Sequence, residues 1–212
     1  MSHAAAAEQV ADRFETPLTP ESWGKLGMWV FLAGDAMSFG GLLAAYGALR
    51  LLNSARAVGD KLLWPNPMQH LGINMTAGMT FLLICSSVTM VKALSASRRR
   101  DLGKTKLFLA LTILGGLIFL GCQAVEWTHL MGEEHMRFTS NPWGTALFGS
   151  TFFTLTGFHG MHVLSGVIYL TTILLGVIAR GRANPDKIEI LGLYWHFVDL
   201  IWILVFTFVY LI

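Results

Sequence analysis

TFFTLTGFHGMHVLSGVIY, residues 151–169, is a long apolar stretch with two histidines in its middle. If the stretch forms a helix, His159 and His162 lie three residues apart on one face, which Thr156 and Gly166 extend in both directions. Ionisable side chains inside a bilayer usually face a partner, a cavity or a cofactor rather than lipid. The histidine face is therefore the first candidate for a functional site.

The rest of the chain has the composition of an integral membrane protein. Of its 212 residues, 54% are hydrophobic and only 13% are charged, and the charges gather in short segments between apolar runs. These runs predict an all-α, polytopic bundle of five transmembrane helices, preceded by a polar tail over residues 1–23. The predicted spans are at about residues 24–49, 71–94, 105–130, 144–179 and 188–212. A formal charge of +2, with the basic residues beside apolar runs, excludes a nucleic-acid partner.

The basic residues are divided unevenly between the two sides of this bundle. Five spans place the tail and the second and fourth loops on one side, and the first and third loops and the C-terminus on the other. The first side holds eleven Lys and Arg residues and the second side holds four. By the positive-inside rule, this asymmetry predicts a cytoplasmic N-terminus and a C-terminus on the outer side.

Several polar side chains fall inside the predicted spans, and their depth can be counted along each helix. At about 1.5 Å per residue, Asp35, His162 and Asp199 lie near the membrane midplane. His196 lies one turn toward the cytoplasm from Asp199, whereas Glu126 lies toward the outer surface. The sequence therefore predicts a layer of polar groups in the middle of the membrane.

An isolated charge at the midplane costs roughly 2.5 to 3.5 kcal/mol, so mutual pairing is expected. We expect His159 or His162 to hydrogen-bond Asp35 or Asp199 from another helix, and the sequence does not decide which. Three explanations stay open: a structural network that fixes helix register, a proton relay or transport site, and bis-histidine haem ligation with His196 as a facing ligand. Haem is the weakest, because two histidines three residues apart on one helix cannot both bind one iron axially.

Five segments after Trp23 resemble subunit III of the haem-copper cytochrome c oxidases, in order along nearly the whole chain. They are LGMWVFLAGDAMSFGGL (26–42), WPNP (64–67) with INMTAGM (73–79), GCQAVEW (121–127), FGSTFFTLTGFHGMHVLSG (148–166) and YWHFVDLIWILVF (194–206). The last two are the most specific. The family usually has a glutamate where this chain has Asp35, so the carboxylate is kept and its reach is shorter by one methylene.

The resemblance implies a respiratory terminal oxidase that reduces oxygen to water and pumps protons in a bacterial-type cytoplasmic (inner) membrane. This chain would stabilise subunit I and support proton uptake, with subunit II and further subunits in the same complex. Haem and copper are expected in the partner subunits, and no catalytic, cofactor-binding or metal residue is expected in this chain. By position, the resemblance implies a buried polar network made of Asp35, Asn74, Gln123, Glu126, His159, His162, His196 and Asp199.

Many members of the family have seven spans, and this chain resembles the form that lacks the first two. In seven-span members a cleft between those two helices and the rest holds phospholipid, so bound phospholipid is implied here if another subunit supplies the missing wall. Subunit III of a quinol oxidase and the accessory protein of nitric oxide reductase share the FHGxHV and WHFVD patterns and remain alternatives. A free-standing proton or small-solute carrier is a further alternative, although the chain has no internal repeat of the kind that many carriers show.

Overall fold

The computed structural model describes residues 23–54, 57–58, 61–62 and 64–212. The described elements, in order, are α1 (Trp23–Ser54), β1 (Ala57–Val58), β2 (Lys61–Leu62), α2 (Pro67–His70), α3 (Ile73–Arg98), α4 (Leu102–Gly132), α5 (Ala146–Arg180), α6 (Pro185–Val205) and a π-helix (Phe206–Leu211) that continues α6. Within this part of the chain, α1, α3, α4, α5 and α6 with its continuation are long and apolar enough to cross a membrane. The predicted all-α fold with five spans is confirmed. The predicted tail lies outside the described residues except for Trp23.

The ends of the helices follow from residues that cap or break a helix. The side chain of Asp101 accepts a hydrogen bond from the backbone N–H of Lys104 at the start of α4, and this bond lowers the pKa of Asp101 below its ordinary value. Thr145 caps α5 in the same way, and Asn184 accepts two backbone N–H groups at the start of α6. Gly181 ends α5 at φ 62°, a left-handed conformation that favours glycine.

Four of the long helices form a ring, and α1 lies outside it. In the ring α3 packs against α4 and α6, and α5 packs against α4 and α6, while α1 rests on α5 and α6. Close approach within the ring depends on Gly116 of α4 and Gly166 of α5. A Cβ at Gly116 would lie 2.7 Å from the ring of Trp195, and one at Gly166 would lie 2.8 Å from the same ring. These two glycines therefore make room for the buried indole of α6.

Candidate functional site

The pair formed by His162 of α5 and Asp35 of α1 is the main polar contact between these two helices. Nε2 of His162 lies 3.2 Å from Oδ1 of Asp35, and the two side chains are only 15% and 9% exposed. Nδ1 of His162 lies 2.7 Å from the backbone oxygen of Phe158. Because a carbonyl oxygen can only accept, Nδ1 carries a hydrogen. The Nε2–Asp35 bond then holds a single proton, either as imidazolium and carboxylate or as neutral imidazole and carboxylic acid.

Aromatic residues from three helices hold this histidine in place. The ring of Phe39 on α1 contacts the rings of Phe158 and His162 on α5, at 4.8 and 5.2 Å between centroids. From α6, the hydroxyl of Tyr194 donates to the backbone oxygen of His162 at 3.1 Å and hydrogen-bonds the Ser165 hydroxyl at 2.6 Å. The proton-holding pair therefore lies at the junction of α1, α5 and α6.

Asp199 of α6 makes its contact on the opposite side of that helix, with α3. The hydroxyl of Ser87 donates to Oδ2 of Asp199 at 2.7 Å. Oδ1 of Asp199 is buried and has no hydrogen-bond partner among the described residues. His196, one turn earlier on α6, is half-buried and lines an apolar groove beside Trp29 of α1. Asp199 is thus joined to a serine rather than to a histidine of α5.

His159 lies in the aromatic core and is hydrogen-bonded to neither Asp35 nor Asp199. It is completely buried, with its ring centroid 4.7 Å from the indole of Trp202 and 5.6 Å from the ring of Phe119. Neither ring nitrogen has a hydrogen-bond partner within the part of the chain that the structure describes. The imidazole of His159 therefore packs against aromatic rings, although His159 is only three residues from His162.

A separate polar cluster lies at the end of the bundle where α3 begins and α4 ends. Glu126 accepts hydrogen bonds from the hydroxyls of Thr76 on α3, at 3.2 Å, and of Tyr210 on the π-helix, at 2.9 Å. Close by on α4, the amide of Gln123 donates to the backbone oxygen of Thr156 on α5 at 2.7 Å. The buried carboxylate of Glu126 thus joins three elements, and no cation among the described residues forms an ion pair with it.

Comparison with known proteins gives the chain its family. The family model described as cytochrome c oxidase subunit III matches residues 19–212. The chain belongs to the cytochrome c oxidase subunit III family. Cytochrome c oxidase subunit 3 of Bacillus subtilis (strain 168) is 36% identical over 214 residues, which cover 96% of this chain and 97% of that protein.

Other relatives in the comparison carry two different names. Quinol oxidase subunit 3 of Bacillus subtilis (strain 168) is 36% identical over 188 residues, or 88% of this chain and 85% of that protein. Cytochrome c oxidase subunit 3 of Corynebacterium diphtheriae is 36% identical over 190 residues, or 88% of this chain and 87% of that protein. The resemblance to subunit III of the haem-copper oxidases is confirmed.

In this member of the subunit III family, the polar residues predicted as one network form several separate contacts. The structure brings together His162 with Asp35, and it places Asp199, Glu126, Gln123 and His159 in contacts of their own. It does not place Asn74 among them, because Asn74 is exposed on α3. Two residues correspond to about 200° around a helix, so Asn74 faces away from the side on which Thr76 meets Glu126. The prediction that Asn74 belongs to the buried network is wrong.

The hydrogen-bond donors that α6 supplies to this subunit III bundle were not predicted from the sequence. The indole N–H of Trp202 donates to Thr80 at 2.9 Å, and that of Trp195 donates to Ser86 at 3.0 Å, both on α3. Tyr210, the donor to Glu126, was also not predicted. The available signal was the spacing of Thr76, Thr80 and Ser87, which puts small polar side chains along one face of α3.

The described part of this subunit III chain contains no group of three or more His, Cys, Asp or Glu residues that could hold a metal ion. Its polar contacts instead join two or three helical elements to one another. This arrangement can keep a proton between Asp35 and His162, and it can fix the register of the helices.

Proposed function

We propose that this chain is the non-redox subunit III of a respiratory terminal oxidase that reduces oxygen to water and pumps protons. In this proposal it packs directly against subunit I, stabilises that subunit and supports its proton uptake. Haem and copper belong to the partner subunits, subunit I and subunit II. The supporting observation concerns the three acids that lie in the middle or toward the outer end of the predicted spans. Asp35 is joined to α5, and Glu126 and Asp199 are each joined to α3.

The proposed orientation places the N-terminus in the cytoplasm of a bacterial cell, with the chain in the inner membrane. The positive-inside rule supports it, with eleven basic residues against four. Lys25 of α1 and Arg98 of α3 contact Glu189 of α6 at 2.9 and 2.7 Å, so the ends of these three helices lie on the same side. The basic loops between spans are on this side, which the rule assigns to the cytoplasm.

The outer face of α1 is the surface that we propose for the contact with another subunit. Within the described structure, a Cβ added at Gly27, Gly34 or Gly41 would meet nothing within 4 Å. These glycines recur every seven residues, so they follow one line along the helix and would let a helix of another subunit approach closely.

The composition of the complex purified in mild detergent tests this proposal. A tagged form of the chain is expected to copurify with a haem-copper subunit, and the isolated chain is expected to show no haem absorbance. A Soret band from the isolated chain would overturn the proposal. Reconstituted alone into vesicles, the chain should also conduct no protons, since proton leak would favour a free-standing carrier.

Subunit III of a quinol oxidase is the second candidate, because the quinol oxidase relative from Bacillus subtilis has the same 36% identity to this chain as the cytochrome c oxidase relative from that organism, over 88% rather than 96% of the chain. The electron donor binds other subunits of such complexes, so this chain does not distinguish the two. A copurified subunit with a binuclear copper motif would favour cytochrome c as the donor. A complex that lacks such a subunit and oxidises quinol would favour the second candidate.

A further inference from the structure

Three polar side chains converge near the end of α1, which is the outer end in the proposed orientation. Arg50 follows Tyr46 by about one turn of α1, and Trp64 lies in the segment before α2. The indole of Trp64 contacts the ring of Tyr46 at 5.4 Å and that of Phe148 on α5 at 5.5 Å between centroids. Arg50 and Trp64 both lie beside the hydroxyl of Tyr46. Tyr46, Arg50 and Trp64 form what we call the donor cluster.

Each member of the donor cluster has a buried polar atom without a hydrogen-bond partner among the described residues. These atoms are the hydroxyl of Tyr46, Nη1 of Arg50 and Nε1 of Trp64. Tyr46 and Trp64 are only 2% and 4% exposed, so bulk water does not supply the missing partners. A guanidinium and an indole can only donate, and a hydroxyl that accepts from either of them still has its own hydrogen to place. The donor cluster therefore lacks an acceptor.

Arg50 also lacks a counter-charge. Within the part of the chain that the structure describes, no carboxylate forms an ion pair with Arg50, whereas Lys25, at the other end of α1, contacts Glu189. Arg50 lies fifteen residues beyond Asp35, or about 22 Å along α1, so that acid is out of reach. Part of Arg50 remains exposed, and a group from outside this chain can therefore contact its guanidinium.

The acceptor that the donor cluster lacks has the chemistry of a carboxylate. A guanidinium binds a carboxylate through two parallel N–H bonds, and the pair neutralises both charges. A water molecule would accept from two donors, but it would bring two hydrogens for which Arg50 and Trp64 offer no acceptor. An anionic oxygen group is thus a better match than water.

We propose that Arg50, supported by Tyr46 and Trp64, is the docking site for an aspartate or glutamate side chain of another subunit. Charge complementarity carries the inference, because the cluster combines a permanent positive charge with three unpartnered donors. The inference rests on the proposed assembly of this chain with other subunits. It adds the residue through which the outer end of α1 contacts one of them.

A crosslink that adds no spacer atoms identifies the acid. Arg50→Lys keeps the positive charge and supplies an amine, which a water-soluble carbodiimide joins to a contacting carboxylate as an amide. In the complex purified in mild detergent, peptide mass spectrometry should find position 50 joined to an Asp or Glu of another subunit. Arg137→Lys, at an exposed arginine in the loop before α5, is the matched control and should give no crosslink to another subunit.

The outcomes of the crosslinking experiment separate this inference from the proposed function. A crosslink to an acid of this chain, such as Asp60, would overturn the docking site and leave the assembly with other subunits intact. The absence of any crosslink at position 50 in an assembled complex would also overturn it, and is the result expected for a lipid phosphate or a free anion. A chain that copurifies with no other subunit would contradict the proposed function, on which the docking site depends.

Removal of the charge measures what the docked acid contributes. In Arg50→Gln the acid loses its charged partner, so this chain should dissociate from the complex about tenfold faster than the wild type. Tyr46→Phe removes one neutral donor and should have a smaller effect in the same direction. Arg137→Gln should dissociate like the wild type. Wild-type dissociation of Arg50→Gln, or an equal effect of Arg137→Gln, would refute the docking site.

Discussion

Asp35 and His162 share one proton in the hydrogen bond between their side chains. A substitution at Asp35 can remove the ionisable carboxyl group and still keep a hydrogen bond to His162. In Asp35→Asn, the amide can donate to Nε2 of a neutral His162, so we expect assembly with the partner subunits to remain close to wild type. In Asp35→Leu, the buried imidazole loses that partner, at a cost of about 1–3 kcal/mol. The measurement is the fraction of the chain that copurifies with the complex.

Asparagine and leucine are similar in size, so the difference in assembly between the two variants reports the hydrogen bond rather than the packing. Wild-type assembly in both would mean that the pair does not hold α1 against α5. Failure in both would mean that the carboxyl group itself, rather than any hydrogen bond to Nε2, is required.

Glu126 offers a comparable experiment at the end of the bundle where α3 begins and α4 ends. Glu126→Gln keeps an acceptor for the hydroxyls of Thr76 and Tyr210, so we expect a loss of stability below about 1 kcal/mol. Glu126→Leu leaves the buried Tyr210 hydroxyl without its acceptor and should cost about 1–3 kcal/mol. The free energy of unfolding, from denaturation in detergent, is the measurement.

Tyr210→Phe added to Glu126→Leu serves as the control for this second prediction. Because the added change removes the orphaned hydroxyl, the double variant should regain part of the lost stability. If the double variant is less stable than Glu126→Leu alone, the hydroxyl is not what makes the single substitution costly.

At the level of whole helices, the ring of α3 to α6 is held at close distance by glycine. A Cβ at Gly116 would lie 2.6 Å from Val167 of α5 and 2.7 Å from Trp195 of α6, both well packed side chains. Gly116→Ala must therefore push two helices apart, and we expect a loss of about 1–3 kcal/mol in the free energy of unfolding.

Gly121→Ala, five residues further along α4, is the matched control for the glycine prediction. Its added Cβ meets nothing within 4 Å, and alanine has the higher helix propensity, so stability should be unchanged or slightly raised. Equal effects of the two substitutions would indicate a general response of α4 rather than contact with α5 and α6.

For the whole molecule, the orientation in the membrane is the property to measure. After Cys85→Ala and Cys122→Ala, a single cysteine is placed at Arg99, between α3 and α4, or at Ser140, between α4 and α5. In spheroplasts, a membrane-impermeant maleimide should label the cysteine at 140, and it should label that at 99 only after permeabilisation. The reverse pattern would place the N-terminus outside.

Much of the whole fold was predictable from the sequence, because burial in lipid leaves a long apolar run few alternatives to a helix. The five spans, and the positions of Asp35, His162 and Asp199 along them, follow from counting residues along each run. The prediction at Asn74 failed because the position of a residue along a helix does not show which side of the helix it is on. Asn74 lies two residues before Thr76, so its side chain is on the outside of α3.

The sequence by itself determined where each polar residue lies along its helix, because rise along a helix is fixed at about 1.5 Å per residue. The tertiary structure alone decided which residues meet. His162 turns toward Asp35 on α1, whereas His159, at nearly the same depth, turns into the rings of Phe119 and Trp202. The physical reason is that helix contacts depend on the order and rotation of neighbouring helices, which packing across the whole bundle sets and no single helix encodes.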